Sequence, residues 1–101
     1  MSLQEFAVKG ISRNLLDSDL NGEPLHMHIS EVEAGSRSHA PHQHGGYEAV
    51  YMLDGECTLE IGDETHTLGP NESAVFDPRK LHGIRNDGDQ PMRYIVVLYR
   101  G

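Results

Sequence analysis

The sequence predicts an all-β fold, either a barrel or a sandwich of short strands. Short runs with strand-like composition are separated by turn signals rich in glycine, proline, asparagine and aspartate. Glycine is frequent, with 11 in 101 residues, as is typical of a turn-rich β protein. Heptads, amphipathic helical runs and repeats with periods of about 20 to 50 residues do not occur. One domain accommodates a chain of this length.

The first 24 residues are predicted to form an N-terminal strand and loop extension of one barrel that spans residues 1–101. Within this extension residues 6–8 are strand-like, and residues 15–16 fit either a helical turn or a second short strand. The Asn-Gly-Glu-Pro sequence of residues 21–24 predicts a turn before the main strands begin.

Apolar and polar residues alternate after that turn, which predicts a half-buried strand over residues 25–30. Its polar face carries His26 and His28. Because histidines on a strand usually face solvent, we expect these two on the outside of the sheet and not in a pocket.

The C-terminal half of the chain consists of closely spaced predicted strands. They cover residues 57–61, 65–68, 73–76, 82–86 and 92–99, with turns predicted between them. The last of these strands is almost continuously apolar, so we expect it to be central or to face inward.

Composition excludes several classes of partner. The chain has 16 acidic and 8 basic residues, and its formal net charge of −8 opposes binding to nucleic acid or to an anionic membrane. No apolar run approaches the roughly 20 residues that span a bilayer, and the N-terminus does not resemble a secretory signal. Cys57 is the single cysteine, which we expect to be a small core residue. We therefore expect a cytoplasmic protein.

Residues 42–48, His-Gln-His-Gly-Gly-Tyr-Glu, have the chemistry of a metal site. His42 and His44 would project from one face of an extended strand, because side chains alternate with period two. A bend could return Glu48 to them. Imidazole and carboxylate ligands suit iron, manganese, nickel or zinc. His82 begins a later strand and is a candidate fourth ligand.

Glu48 belongs to a segment that is largely apolar on both faces. Val50 and Met52 share its parity, while Tyr47 and Tyr51 lie on the opposite face. We therefore expect a strand that is buried on both sides. A carboxylate there needs a partner, because burying it alone costs several kcal/mol. A bound cation would supply that partner.

These residues spell His42-x-His44-x3-Glu48-x6-Gly55, followed by His82-x3-Asn86. The pattern resembles the two motifs of the cupin superfamily, over roughly residues 25 to 99. The resemblance implies a double-stranded β-helix, or jelly-roll barrel, with His42, His44, Glu48 and His82 around one divalent metal. It implies a turn or structural role for Asn86. Asn71-Glu72 stands where the family usually has Gly-Asp, and Arg79 replaces a glycine.

Three functions remain open for such a site. Two adjacent coordination positions beside three imidazoles and one carboxylate would suit an iron-dependent dioxygenase, or an isomerase or lyase of sugars or hydroxy acids. A non-catalytic small-molecule sensor is the third. Proton-transfer candidates are Tyr51, Tyr94, His28 and Glu48, although parity places Tyr51 away from the metal face.

Two further expectations concern the surroundings of the site. His39 and Arg37 precede the metal-binding segment and are candidates for the rim of a pocket. Small barrels expose sheet edges and apolar outer faces, which pairing of two subunits would cover. We therefore expect a homodimer.

Overall fold

The computed structural model describes residues 4–8, 11–17 and 19–100, and these contain β-strands but no helix. The strands are β1 (Gln4–Val8), β2 (Ile11–Leu15), β3 (Leu25–Val32), β4 (Tyr47–Asp54), β5 (Cys57–Ile61), β6 (Glu64–Leu68), β7 (Ser73–Phe76), β8 (His82–Arg85) and β9 (Met92–Tyr99). The all-β prediction is confirmed. Over these ranges no helix offers a membrane span.

The strands form three antiparallel sheets. One sheet has the order β3-β9-β4-β7, a second has the order β6-β5-β8, and β1 pairs with β2 as a separate hairpin. β9 lies between β3 and β4, which confirms the central position predicted from its apolar sequence. The first two sheets enclose one core, because their inward-facing side chains belong to a single apolar cluster.

Alternation along β4 decides which of its side chains enter that core. Val50 and Met52 are fully buried, whereas Tyr47 is 64% and Tyr51 is 39% exposed. The expectation that β4 is buried on both sides is therefore wrong. Among the described residues its outer face has no covering layer, so the apolar residues there remain on the surface.

The N-terminal region contains a strand where the sequence left two options open. β2 ends at Leu15, so residues 11–15 form a second short strand and not a helical turn. The predicted strands at 57–61, 73–76 and 92–99 have the observed bounds. The division of the chain at residue 24 stays a prediction.

Candidate metal centre

The two histidines of the His-x-His segment lie in an extended loop before β4, and not in a regular strand as predicted. His42 forms an isolated β-bridge with His82, in which each backbone N–H donates to the other residue's carbonyl, at 2.9 and 3.0 Å. The His44 N–H donates to the Pro78 carbonyl at 2.9 Å. Three backbone hydrogen bonds hold this loop to the start of β8 and the segment before it. The loop is not part of a regular strand, so strand parity alone could not have placed its side chains.

Glu48 is brought back to the histidines by a bend at Gly46. This glycine has a φ of +97°, and a Cβ there would collide with the carbonyl oxygen of Tyr99. Only glycine fits such a position without strain. The bend begins β4 at Tyr47, so that Glu48 is the first side chain of that strand to point inward, and it is 6% exposed.

Hydrogen bonds fix which ring nitrogen of two histidines carries the proton. His82 Nδ1 lies 2.9 Å from the Lys80 carbonyl, and His44 Nδ1 lies 3.0 Å from the Gly45 carbonyl. Because a carbonyl only accepts, each Nδ1 must donate, and each neutral ring then presents the lone pair of Nε2. His82 is 1% exposed, and its Nε2 is buried with no hydrogen-bond partner among the described residues.

Possible ligand atoms of the three histidines lie close together, and the Glu48 carboxylate lies beside two of them. Glu48 Oε1 lies 2.9 Å from His44 Nε2 and 3.5 Å from His82 Nε2. One ligand atom each from His42, His44 and His82 lies within 4.8 Å of the others. A metal with bonds of about 2.1 Å places adjacent ligands about 3 Å apart, so this donor set fits a divalent cation. Two acceptors at 2.9 Å otherwise repel each other.

His42 is the most exposed of the three rings, and its surroundings favour the neutral form. Partial burial lowers its pKa, and the neighbouring rings of His39, His82 and His44 lower it further. His39 stacks on His42 with 4.3 Å between ring centroids. A neutral imidazole is the form that binds a metal. His39 thus lies at the rim, as expected.

The loop that carries His42 is tied to β8 through a charged cluster. Glu60 on β5 pairs with Arg37 at 3.0 Å and with Arg85 at 2.9 Å. Arg37 and Arg85 also form an isolated β-bridge. A Cβ at Gly83 would lie 2.9 Å from Arg37 Nη1 and 3.1 Å from Pro41 Cγ, so a larger residue there would crowd the loop where it packs on β8. Arg37 therefore supports the site from outside the cavity.

His26 and His28 line the same cavity as the candidate ligands, so their predicted position on the outer face is wrong. In the pairing of β3 with β9 they lie opposite Leu98 and Val96, which also line the cavity. Parity showed that the two histidines share a face but not which face is inward. The signal was at the end of β3, where Val32 is apolar and continues their parity.

The remaining candidates for proton transfer or nucleophilic chemistry differ in whether they reach the cavity. Tyr51 points outward and donates its hydroxyl to Asn71 Oδ1 at 2.9 Å, as parity predicted. Tyr94 is buried, with its hydroxyl 3.2 Å from Ser38 Oγ, and does not line the cavity. Burial raises the pKa of the Cys57 thiol to about 11, so it is a core residue and no nucleophile near neutral pH. Only His28 and Glu48 keep access to a ligand.

Asn86 is buried for a structural purpose. Its side-chain amide donates to the carbonyls of Val32 and Gln90 at 3.1 and 2.7 Å, and its Oδ1 accepts from the Gly88 N–H at 3.0 Å. These bonds occupy the amide and close the turn after β8.

Residues 24–98 match the cupin domain family. The chain belongs to the cupin family. This cupin has the double-stranded β-helix of solved relatives, which confirms the fold that the motif resemblance implied. Members of the family commonly bind a metal, and the cluster of three histidines is in keeping with that property.

Relatives of this cupin include isomerases and a regulator. It is 34% identical over 58 residues to H2HPP isomerase of Bacillus subtilis, covering 56% of this chain and 25% of that protein. It is 27% identical over 74 residues to the HTH-type transcriptional regulator SutR of Escherichia coli, covering 73% of this chain and 42% of that protein. The chain thus spans less than half the length of these curated relatives.

A solved structure gives a similar result. The sugar phosphate isomerase from Silicibacter pomeroyi, a member of the cupin superfamily, superposes with a TM-score of 0.69 at 25% identity. The match covers 77% of this cupin and 52% of that chain.

Proposed function

We propose that His42, His44, Glu48 and His82 hold one divalent metal ion, iron, manganese, nickel or zinc. The observation that supports this most directly is the buried, unpartnered Nε2 of His82 facing a buried carboxylate oxygen 3.5 Å away. A buried acceptor pair of this kind costs free energy unless a cation lies between them. Nitrogen and oxygen donors without thiolate suit these metals.

We propose that the metal serves an enzyme that isomerises or cleaves a small oxygen-rich molecule. Bound there, the ion would act as a Lewis acid on a carbonyl or hydroxyl oxygen. Similarity to two isomerases favours this chemistry over oxygen activation. An iron-dependent dioxygenase remains the competing reaction for the same donor set.

Residues of this chain would supply the remaining functions. The imidazole of His28 lines the cavity beside the metal ligands and is positioned to accept and return a proton at a ring nitrogen. Ile84, Val96 and Leu98 line the same cavity, where they would exclude water from one side of the ligand. The Nδ1–H of His82, donated to Lys80, keeps that ring in one orientation.

Replacement of a ligand tests the metal centre. We expect His82→Ala to weaken metal affinity more than roughly 100-fold, because altering residues that only support a ligand costs up to that factor. His66→Ala is the matched control, since His66 is exposed on β6 and pairs with Glu64. Metal content would be measured by atomic emission after dialysis. Equal content in the wild type and His82→Ala would remove His82 from the ligand set.

Isotope exchange distinguishes the two reactions. An isomerase that moves a proton incorporates deuterium from D₂O into its substrate, whereas a dioxygenase consumes O₂. A panel of hydroxy acids and sugar phosphates would be followed by NMR and an oxygen electrode. Oxygen uptake that depends on the panel compound, without deuterium incorporation, would contradict the isomerase proposal.

A ligand-binding sensor is the second candidate function. The observation in its favour is that 73% of this chain aligns with a transcriptional regulator. A sensor would bind a panel compound tightly and release it unchanged. Detection of product from that compound would exclude this alternative.

Three further proposals concern the protein outside its site. We infer a homodimer from the exposed apolar outer face of β4 and its neighbours, which a second copy would cover. We place the protein in the cytoplasm because its single cysteine is free and buried. Recovery of the protein in a membrane or secreted fraction would contradict the cytoplasmic location.

We also propose that residues 1–24 form an N-terminal extension of the barrel.

A further inference from the structure

We propose that the ligand of the metal-centre cavity is a small organic anion, and that Arg100 binds its charged group. This inference rests on the proposed function and names the substrate class of the same site. The cavity holds one end of the molecule near His42, His44 and His82, and Arg100 would hold the other.

With a divalent cation bound, the cavity would be positively charged although the whole chain is acidic. The protein carries a formal charge of −8, yet among the acidic residues that the structure describes only Glu48 lines the cavity. Six of the seven histidines line it, together with Arg100. A divalent cation bound by Glu48 would add further positive charge. Because neutral imidazoles carry no charge and Glu48 offsets Arg100, it is the charge of the bound cation that would attract anions to this cavity within an acidic protein.

Arg100 lies where its positive charge could bind an anion in the cavity. Val96 and Leu98 of β9 line the cavity, and Arg100 continues their alternation just beyond the strand. Its backbone N–H donates to the Pro24 carbonyl at 2.7 Å, which fixes the chain at this point. Among the described residues its guanidinium forms no ion pair, whereas Arg37 and Arg85 are paired with Glu60. Its charge is therefore free for a ligand.

The size and walls of the cavity limit what the anion can be. Its volume is about 260 Å³, equivalent to roughly nine water molecules at 30 Å³ each. Ile84, Val96 and Leu98 make one part of the wall apolar. A carboxylate or a phosphate monoester of a short carbon chain satisfies both conditions, because its oxygens face the imidazoles and its carbon atoms face the apolar residues.

Calorimetric titration of the zinc-loaded protein tests this assignment. The probes are lactate against its uncharged amide, lactamide, and glycerol 3-phosphate against glycerol. In the wild type we expect at least one anion to bind more tightly than its neutral partner, and Arg100→Gln to weaken that anion roughly fivefold. Arg93→Gln is the matched control, because Arg93 lies on β9, the strand that leads to Arg100, is exposed, and faces away from the cavity.

The two pairs of probes separate a carboxylate ligand from a phosphate ligand. Loss of affinity in Arg100→Gln for either anion, with Arg93→Gln unchanged, supports the proposal and names the class. Equal affinities in all three proteins, or neutral probes that bind as tightly as the anions, would overturn it. Zinc content measured on the same samples separates the two inferences. Absent zinc rejects the metal centre, while anion affinity that does not depend on Arg100 in zinc-loaded protein rejects this one.

Discussion

One contact, between His44 Nε2 and Glu48 Oε1, is central to the proposed metal site of this cupin. The two atoms are 2.9 Å apart, and the carboxylate is only 7% exposed at its side chain. The Nδ1–H of His44 donates to the Gly45 carbonyl. In the neutral ring, Nε2 therefore has no proton to donate to Glu48 Oε1. If the proposed cation binds here, it would relieve this repulsion, which costs stability in the metal-free protein.

Replacing Glu48 by glutamine should have opposite effects with and without metal. Without metal, Glu48→Gln removes the repulsion and can donate to His44 Nε2, so we expect it to equal or exceed the wild type by about 1–2 kcal/mol in unfolding free energy. With zinc in excess, the wild type should be the more stable, because it binds zinc more tightly. Urea denaturation with EDTA and with zinc measures both effects.

A loss of stability that is equal in both conditions would contradict this prediction. It would show that Glu48 is paired with a protonated His44 in the native protein. Thr67→Ser, an exposed position on β6, serves as a control for handling of the metal and should behave as the wild type in both conditions.

At the level of elements, one side chain of β5 connects two segments that carry candidate histidine ligands. Glu60 pairs with Arg37, which lies in the loop before His42, and with Arg85 on β8. Asp87 extends the cluster, since it accepts from Arg85 Nε and from Thr58 Oγ1 at 2.8 Å each. The hydrogen bond from Arg85 lowers the pKa of Asp87, so this end of the cluster stays charged near neutral pH.

We expect Glu60→Gln to lower the unfolding free energy by about 1 kcal/mol, because both pairs are partly exposed and individually weak. It should also weaken metal binding, since the loop carrying His42 loses its side-chain link to β8 and keeps only the β-bridges. Glu64→Gln on β6 is the matched control, because among the described residues Glu64 pairs only with the exposed His66. Denaturation and zinc titration would be measured together. Unchanged zinc affinity in Glu60→Gln would show that the β-bridges alone hold the loop.

Strands were predictable from the sequence to a greater extent than the direction of their side chains. Residues 57–61, 73–76 and 92–99 were located correctly because turn residues delimit them. The facing of His26 and His28 was not, because alternation assigns residues to faces and only tertiary pairing decides which face is covered. The four candidate ligands converge because of a loop, a bend at Gly46 and one bridge, which are features without periodicity.

At the level of the whole molecule, exposed apolar side chains concentrate on one surface. Eight large apolar residues are exposed among those described, and five of them lie on the outer face of the sheet that contains β9: Leu25, Tyr47, Tyr51, Val75 and Tyr99. Tyr47 and Tyr99 stack there with 6.2 Å between ring centroids. Monomeric proteins rarely leave contiguous patches of this kind in water.

If a second copy of the chain covers that surface, one charged substitution on it should dissociate the dimer. Val75 is 75% exposed and lies opposite Ala49 on β7, an edge strand of this sheet, so Val75→Glu would place a carboxylate on the apolar face. We expect the dimer dissociation constant to rise by roughly tenfold or more, because a charge buried there has no partner. Leu81→Glu is the control, since Leu81 is 51% exposed in the loop before β8, away from this face. Light scattering after size exclusion measures the mass of each variant. A wild type that is monomeric at micromolar concentration would show that the apolar face has another role.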